Sequence, residues 1–298
     1  MSRAKICAII VSWNPNVQRL NESIRSLESQ VDSIYIVDNG TDNFDSLVSG
    51  SFGSNSLRIL QLNENYGIGF ALNKAISLIN LNDFDWILTL DQDSVLKYNA
   101  VSRLFEDFSS IPIEQRKSCG VLSLKSENQP INNYFVRSNE RLSVINTQSH
   151  FRTMNHVISS GSFVKSEVFL KIKYNEEFFI DQVDFDFCVS VRRSNYQILQ
   201  QNRISLNHVL GSQLQWKSSK YSYHADERLY YIIRNSTNLF IRGRQPLHYY
   251  VNQLAVWIGS FLLTNGPKSL FRLIRLIVFG MIDGIFSRLG KNIHKLSK

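Results

Sequence analysis

The stretch Asp85-Trp86-Ile87-Leu88-Thr89-Leu90-Asp91-Gln92-Asp93 (DWILTLDQD, residues 85–93) is an apolar run that ends on two carboxylates. A short apolar run of this kind reads as a buried strand, so Asp91 and Asp93 stand where the backbone leaves the sheet. Two carboxylates so close repel each other unless a cation, a proton or water relieves them. A hard divalent ion, Mg2+ or Mn2+, suits them, because such ions take one or two carboxylates and fill their other sites with phosphate oxygens and water. A solvated acidic loop is the plain alternative, and the triplet alone does not decide between the two.

The surrounding chain supplies a setting for that strand. Lys5–Val11 (KICAIIV), Ser33–Val37 and Leu57–Leu62 read as three further strands. Between them, Val17, Leu20, Ile24 and Leu27 recur at helical spacing behind a capping Asn16, and a second helix runs from the Asn65–Gly69 loop to about Leu81. Strand and helix in alternation predict an α/β layered fold, with a mostly parallel central sheet flanked by helices. Ligands of such sheets sit beyond the carboxyl ends of the strands. Four polar segments should therefore converge at one edge: Ser12-Trp13-Asn14, Asp38-Asn39-Gly40-Thr41, Asn63 to Gly69, and Asp91 to Ser94. Gly40 allows a tight turn, where Asp38 could meet a base or ribose or simply shape the turn. Gly67 and Gly69 allow close backbone approach where a loop enters a helix, but Leu72 occupies the third position of a dinucleotide-binding glycine pattern.

Farther along, Cys119–Leu124 reads as a strand, Val157–Lys165 and Glu176–Ile180 as ordered segments, and Ala225–Arg242 as a helix with an apolar face. Gln129–Asn155 is polar and gives no clear period. Asp181-Gln182-Val183-Asp184-Phe185-Asp186 enters a helix near Asp184, where the dipole favours a charged carboxylate. Asp184 is either a helix cap or a general base that accepts a hydroxyl proton. His208 is a neutral imidazole available to a metal or phosphate, or a structural histidine; His224, Arg234 and Asn235 are weaker candidates.

These segments, taken in order, resemble glycosyltransferase family 2, and within it the bacterial rhamnosyltransferases. The motifs are Val11-Ser12-Trp13-Asn14, Asp38-Asn39-Gly40-Thr41, Asn65 to Asn73, Asp91-Gln92-Asp93, Ser160-Gly161-Ser162 and Phe178 to Asp184, spread over Ile6 to Arg242. The resemblance implies the A-type glycosyltransferase fold and an inverting transfer from a nucleotide-sugar. It implies that Ser12, Trp13, Asn14, Asp38, Asn65, Gly67, Asn73, Asp91 and Gln92 lie on the nucleotide side. It makes Asp93 the metal contact, helped by His208, and Asp184 the base, with Asp181 as the competing assignment. Gly161, Asp181 and Asp186 fall in the sugar region. In many relatives an arginine follows the second acid by four residues; here Ser190 stands there, and Arg192 could replace it only by turning inward.

Composition bounds the rest. A chain of 298 residues with 43% hydrophobic content can bury a large core. Cys7, Cys119 and Cys188 are scattered without zinc-site spacing, which fits a reducing compartment, and Met1–Val11 lacks the pattern of a cleaved signal peptide. The net charge of +8 has one source: from Arg242 onward nine Lys or Arg face a single acid, Asp283, whereas residues 1–241 are neutral. That neutrality argues against nucleic acid. The expected organisation is a catalytic domain over 1–245 and a basic amphipathic helical tail over 246–298. Lys268, Arg272 and Arg275 punctuate apolar runs there, which suits a helix lying on an anionic membrane surface, with a helix pair packed on the catalytic domain as the alternative. The expected setting is cytoplasmic and peripheral on the plasma membrane, with a polyprenyl-diphosphate-linked oligosaccharide as acceptor in O-antigen or related polysaccharide synthesis. Rhamnose from its thymidine diphosphate is the expected sugar, with uridine-linked hexose, N-acetylhexosamine or galactofuranose as alternatives. An inactive membrane-bound binding module is the remaining rival.

Overall fold

Alternate residues of the first strand, β1 (Ile6–Ser12), serve two different cores, as the period of two in a strand demands. Ile6, Ala8 and Ile10 join one buried cluster with Leu20, Ile24 and Leu27 of α1 (Val17–Leu27). Cys7 and Ile9 join the other, with Ala71, Leu72 and Ala75 of α2 (Ile68–Leu78). A strand covered on both faces has no solvated side, which is why its sequence is continuously apolar. The computed structural model describes residues 3–42, 44, 57–126, 150–208, 213–216, 219–222, 226–292 and 294.

Around β1 the sheet is parallel. β2 (Ser33–Asp38) lies on one side with β3 (Leu57–Gln61) beyond it, and β4 (Trp86–Asp91) lies on the other. Register brings the strand ends level: Ser12 pairs with Asp38, and Val11 with Asp91. Past β4 the sheet is mixed, which refines the expectation of a mostly parallel one. β8 (Ser162–Lys165) inserts antiparallel between β4 and β6 (Cys119–Ser126). β9 (Gln197–His208) runs parallel to β6, while β5 (Ser94–Val95) and β7 (Phe151–Thr153) pair antiparallel with β9. β10 (Gln213–Trp216) and β11 (Ser219–Ser222) form a separate hairpin. Most of the unassigned polar stretch, its residues 129–149, lies outside the described residues.

Helices α3 (Ala100–Ser110) and α4 (Ile113–Ser118) follow β5, and the short α5 (Ser166–Phe169) follows β8. The later helices are α6 (Val183–Arg193), α7 (Asp226–Ile241), α8 (Leu247–Asn265) and α9 (Leu270–Ile285). Leu229, Tyr230 and Ile233 of α7 build a third core with Leu254 and Phe261 of α8 and Leu273 and Leu276 of α9. Among the described residues no helix is long and apolar enough to cross a membrane. All three cysteines are buried, and burial pushes each thiol up to about 12.

The close approach of α9 to α7 depends on two glycines. A Cβ on Gly284 would come within 2.5 Å of the Arg234 carbonyl oxygen and 2.7 Å of Thr237 Cβ, and one on Gly280 within 2.9 Å of Ile233. Alanine would gain about 1 kcal/mol of helix propensity at position 284. Separating two packed backbones costs about 1–3 kcal/mol, so the clash wins. Gly284→Ala should lower unfolding stability by up to about 2 kcal/mol, read as a fall in the urea midpoint at unchanged m-value.

Candidate active site

Ser12 and Asp38 close β1 and β2, both buried. Asp38 Oδ2 accepts the Thr41 N–H at 2.8 Å. Burial raises this carboxyl above its ordinary range, against hydrogen bonds from the Thr41 side chain and the Thr41 and Gly40 amides. Among the described residues no hydrogen-bond partner reaches Asp38 Oδ1 or Ser12 Oγ. Beside them the exposed Trp13 donates its N–H to Gln92 Oε1 (2.7 Å), and the Asn14 N–H donates to Thr41 Oγ1 (2.8 Å). The segments after β1, β2 and β4 are thus tied to one another, as the sheet topology predicts.

The Asn65–Asn73 segment is positioned by its own polar groups. Asn65 Oδ1 accepts from Asn39 Nδ2 and from the Gly67 N–H, each at 3.0 Å. Gly67 has φ +93°, and a Cβ there would fall 2.4 Å from the Phe179 carbonyl oxygen, which also accepts the Ile68 N–H at 3.0 Å. This glycine therefore permits the loop to meet the Phe178–Asp184 segment. Asn73 has its amide engaged with Tyr174 and Glu176, so it ties α2 to the segment preceding α6.

The acidic turn after β4 is propped from below. The Asp91 N–H donates to Ser160 Oγ at 3.1 Å, and Ser160 Oγ lies 2.7 Å from Ser94 Oγ. The Gly161 N–H donates to the Thr89 carbonyl at 2.9 Å, which places Gly161 in the sheet's interior. Arg19 Nε donates to the Asp93 carbonyl (3.0 Å), and Arg19 also reaches Glu22 and Asn207. His208 pairs in register with Ser94, so the backbone brings it beside the Asp91-Gln92-Asp93 turn; its side chain and His224 lie outside the described residues. Among the described residues no group of three or more His, Cys, Asp or Glu forms a metal cage. Asp91 and Asp93 nevertheless match the donor set of a hard cation that shares its coordination sphere with phosphate.

Across from this turn, Asp181 and Gln182 both adopt left-handed backbone, φ +62° and +65°. Such residues persist only where the surroundings hold them. Here α7 does so. Asn235 Nδ2 donates to the carbonyls of Ile180 and Asp181, both at 2.9 Å, and Arg228 grips the Asp181 carboxylate at 2.6 and 3.2 Å. Asp184 follows in the first turn of α6, accepting the Phe185 N–H at 2.8 Å. Its surroundings, including Tyr174, Phe187 and Cys188, are largely apolar. Burial raises its carboxyl to about 6, and the Asp181 and Asp91 charges push the same way.

Asp186 turns to a different partner. Arg244 Nε pairs with its carboxylate, while Arg244 Nη2 donates to the Asp186 carbonyl (2.9 Å) and to Ser190 Oγ (2.6 Å). A guanidinium therefore does reach position 190, from beyond α7. Arg192 stays exposed, so it is not the replacement that sequence reasoning considered.

Residues 7–197 match the model of Glycosyl transferase family 2. The chain belongs to that family. This family 2 glycosyltransferase is 29% identical over 297 residues to the dTDP-rhamnosyl transferase RfbF of Shigella flexneri, covering 95% of this chain and 96% of that one. Its fold is similar to that of a mycobacterial protein known from a crystal structure, with a TM-score of 0.52 at 12% identity, over 82% of this chain and 76% of the other. The fold is the A-type glycosyltransferase arrangement expected from the motifs.

Arg19, Arg228 and Arg244 were not among the candidates that the enzyme's sequence offered. Each acts on a segment distant in the chain, and no local spacing announces such a contact. Asn235 was only a weak candidate, yet its buried side chain makes two hydrogen bonds to the loop before α6. Asn235→Ala would leave two carbonyls without those donors, at a cost of about 1–3 kcal/mol. Thermal unfolding should show the loss, with Gln245→Ala as a comparison outside this loop.

Proposed function

We propose that the enzyme transfers L-rhamnose from dTDP-rhamnose, with inversion, to a hydroxyl of a polyprenyl-diphosphate-linked oligosaccharide in O-antigen or similar surface polysaccharide synthesis. The near full-length likeness to a dTDP-rhamnosyl transferase supports the sugar and the nucleotide. The acceptor and its place at the cytoplasmic leaflet follow from the same reading.

In this reaction the acceptor oxygen attacks the anomeric carbon as the bond to the diphosphate breaks. Asp184 accepts the hydroxyl proton as charge develops on the oxygen. Its carboxyl, raised to about 6 by burial, is ionised at neutral pH yet basic enough to receive a proton. Asp181 is the poorer base, since Arg228 occupies both of its oxygens. Ser12, Trp13, Asn14, Asp38 and Gln92 line the nucleotide side, with Asp91 toward the nucleotide or sugar. Asp93, with His208, would hold Mg2+ or Mn2+, which when bound offsets charge on the departing diphosphate.

The raised carboxyl gives a two-part prediction. Below about pH 6 the base is protonated, so kcat/KM should fall as pH drops through that value. The folded state binds this proton more tightly than the unfolded chain does. Its stabilising contribution is therefore present at low pH and is lost as pH rises through about 6. Asp184→Asn should cut transfer by about 10²–10⁴. The same substitution should stabilise the fold at pH 8 by up to about 3 kcal/mol, a gain that vanishes near pH 4. Asp181→Asn should retain activity and move the acid limb to lower pH, because one charge raising Asp184 is gone. Loss of transfer in Asp181→Asn with activity retained in Asp184→Asn would reverse the two roles.

The purified enzyme should slowly hydrolyse dTDP-rhamnose, lose that activity to a chelator and regain it with Mg2+ or Mn2+. Turnover and thermal stabilisation with a uridine diphosphate sugar, and none with the thymidine one, would overturn the rhamnose assignment.

A further inference from the structure

The outer face of α9 is apolar. Phe271, Ile274, Val278, Ile282 and Ile285 are all exposed, Phe271 by 75%. At 100° per residue they fall within an arc of about 80°. The buried residues of the same helix, Leu273, Leu276, Gly280, Asp283 and Gly284, occupy the opposite side. Leu270 and Phe286 extend the exposed stripe at its two ends. An apolar stripe of this length on a soluble surface marks an interaction site.

Charge identifies the occupant. Lys268 precedes the helix, Arg275 borders the stripe, and Arg288 and Lys291 follow it; Arg288 keeps 66% of its side chain exposed. The only acid from Arg242 to the end of the sequence is Asp283, and it is 3% exposed. It accepts the Tyr230 hydroxyl at 2.7 Å and contacts His294 Nε2 at 2.6 Å, facing α7. Asp283 lies 3.8 Å from Arg288 and Glu64 lies 3.8 Å from Lys291, while among the described residues no ion pair engages Lys268 or Arg275, so the stripe is flanked by more positive than negative charge. A second copy stacked on this face would set cation against cation. An anionic bilayer meets both the apolar and the positive character.

We infer that the outward face of α9 docks on an anionic lipid bilayer, and that it does so as part of the rigid body carrying the catalytic cleft. This rests on the proposed lipid-linked acceptor and adds the surface that would bring the enzyme to it. The rigidity comes from contacts already described. Gly280 and Gly284 seat α9 on the backbone of α7, and Asn235 and Arg228 of α7 hold the loop leading to Asp184. The chain after α9 returns to the catalytic body, where the Gly290 N–H donates to the Glu177 carbonyl at 2.7 Å and Lys291 lies 3.8 Å from Glu64. The bilayer contact and the cleft should therefore keep a fixed relation to each other.

Co-sedimentation of the full chain with extruded vesicles tests this. The protein should bind vesicles of phosphatidylglycerol mixed with phosphatidylcholine, and release at high salt or on phosphatidylcholine alone. Phe271→Glu/Ile274→Glu/Val278→Glu should weaken that binding at least tenfold. Lys268→Gln/Arg288→Gln, which keeps Phe271, Ile274 and Val278 in place, should weaken it by about fivefold per cation removed. Both variants should keep the wild-type rate of dTDP-rhamnose hydrolysis in vesicle-free solution. That assay tests the proposed sugar separately from the docking face. Absence of wild-type binding to the anionic vesicles, or undiminished binding by both variants, would overturn the inference. A wild-type dimer in sedimentation equilibrium that the triple variant converts to monomer would overturn it in favour of a second copy.

Discussion

A carboxylate removed from water must find compensation or take up a proton, and this constraint organises the site. Four of the acids near the cleft answer it differently. Asp38 is held by the amides and hydroxyl of its own turn. Asp181 is held by Arg228, and Asp186 by Arg244. Burial raises Asp38, Asp186 and Asp184 alike, but Asp184, raised to about 6, has backbone amides alone to offset it, and the Asp181 and Asp91 charges add to the rise. Of these four, the one least compensated by its surroundings is the one proposed to take the acceptor's proton, which is the pattern expected where chemistry competes with stability.

The proposed nucleotide side was largely legible in the sequence because its parts are local. Each polar segment directly follows an apolar strand, and parallel register carries Ser12, Asp38 and Asp91 to one edge. Gly67 was also readable as a place of close approach, though its partner, the Phe179 carbonyl, was not. The proposed acceptor side was less legible. Arg228 and Arg244 act on Asp181 and Asp186 across 47 and 58 residues of chain, and pairing over such separations leaves no trace in periodicity or spacing. The antiparallel insertion of β8 between β4 and β6 was similarly hidden, because a buried strand has the same apolar run whichever way it points.

Helix α7 touches both the tail and the loop that precedes α6. One part of its surface receives α9 through glycine contacts, and another supplies the side chains that hold Ile180 to Gln182 in place. Arg234, buried between Tyr230 and Tyr231, bonds both Asn235 and the Gly290 carbonyl, so even its least accessible charge joins the loop-holding residue to the segment after α9. Tail and cleft therefore share one packed scaffold, although the tail's composition sets it apart in the sequence.

The guanidinium that Arg244 delivers to Ser190 has an evolutionary consequence. A positive group at the back of α6 can come from the helix itself or from a residue 54 positions later, and either source removes the pressure to keep the other. Positions 190 and 244 should then trade places among relatives, each free to drift once its counterpart is basic. A motif search confined to the helix would count such drift as loss of function, whereas the fold has only changed which part of the chain carries the charge.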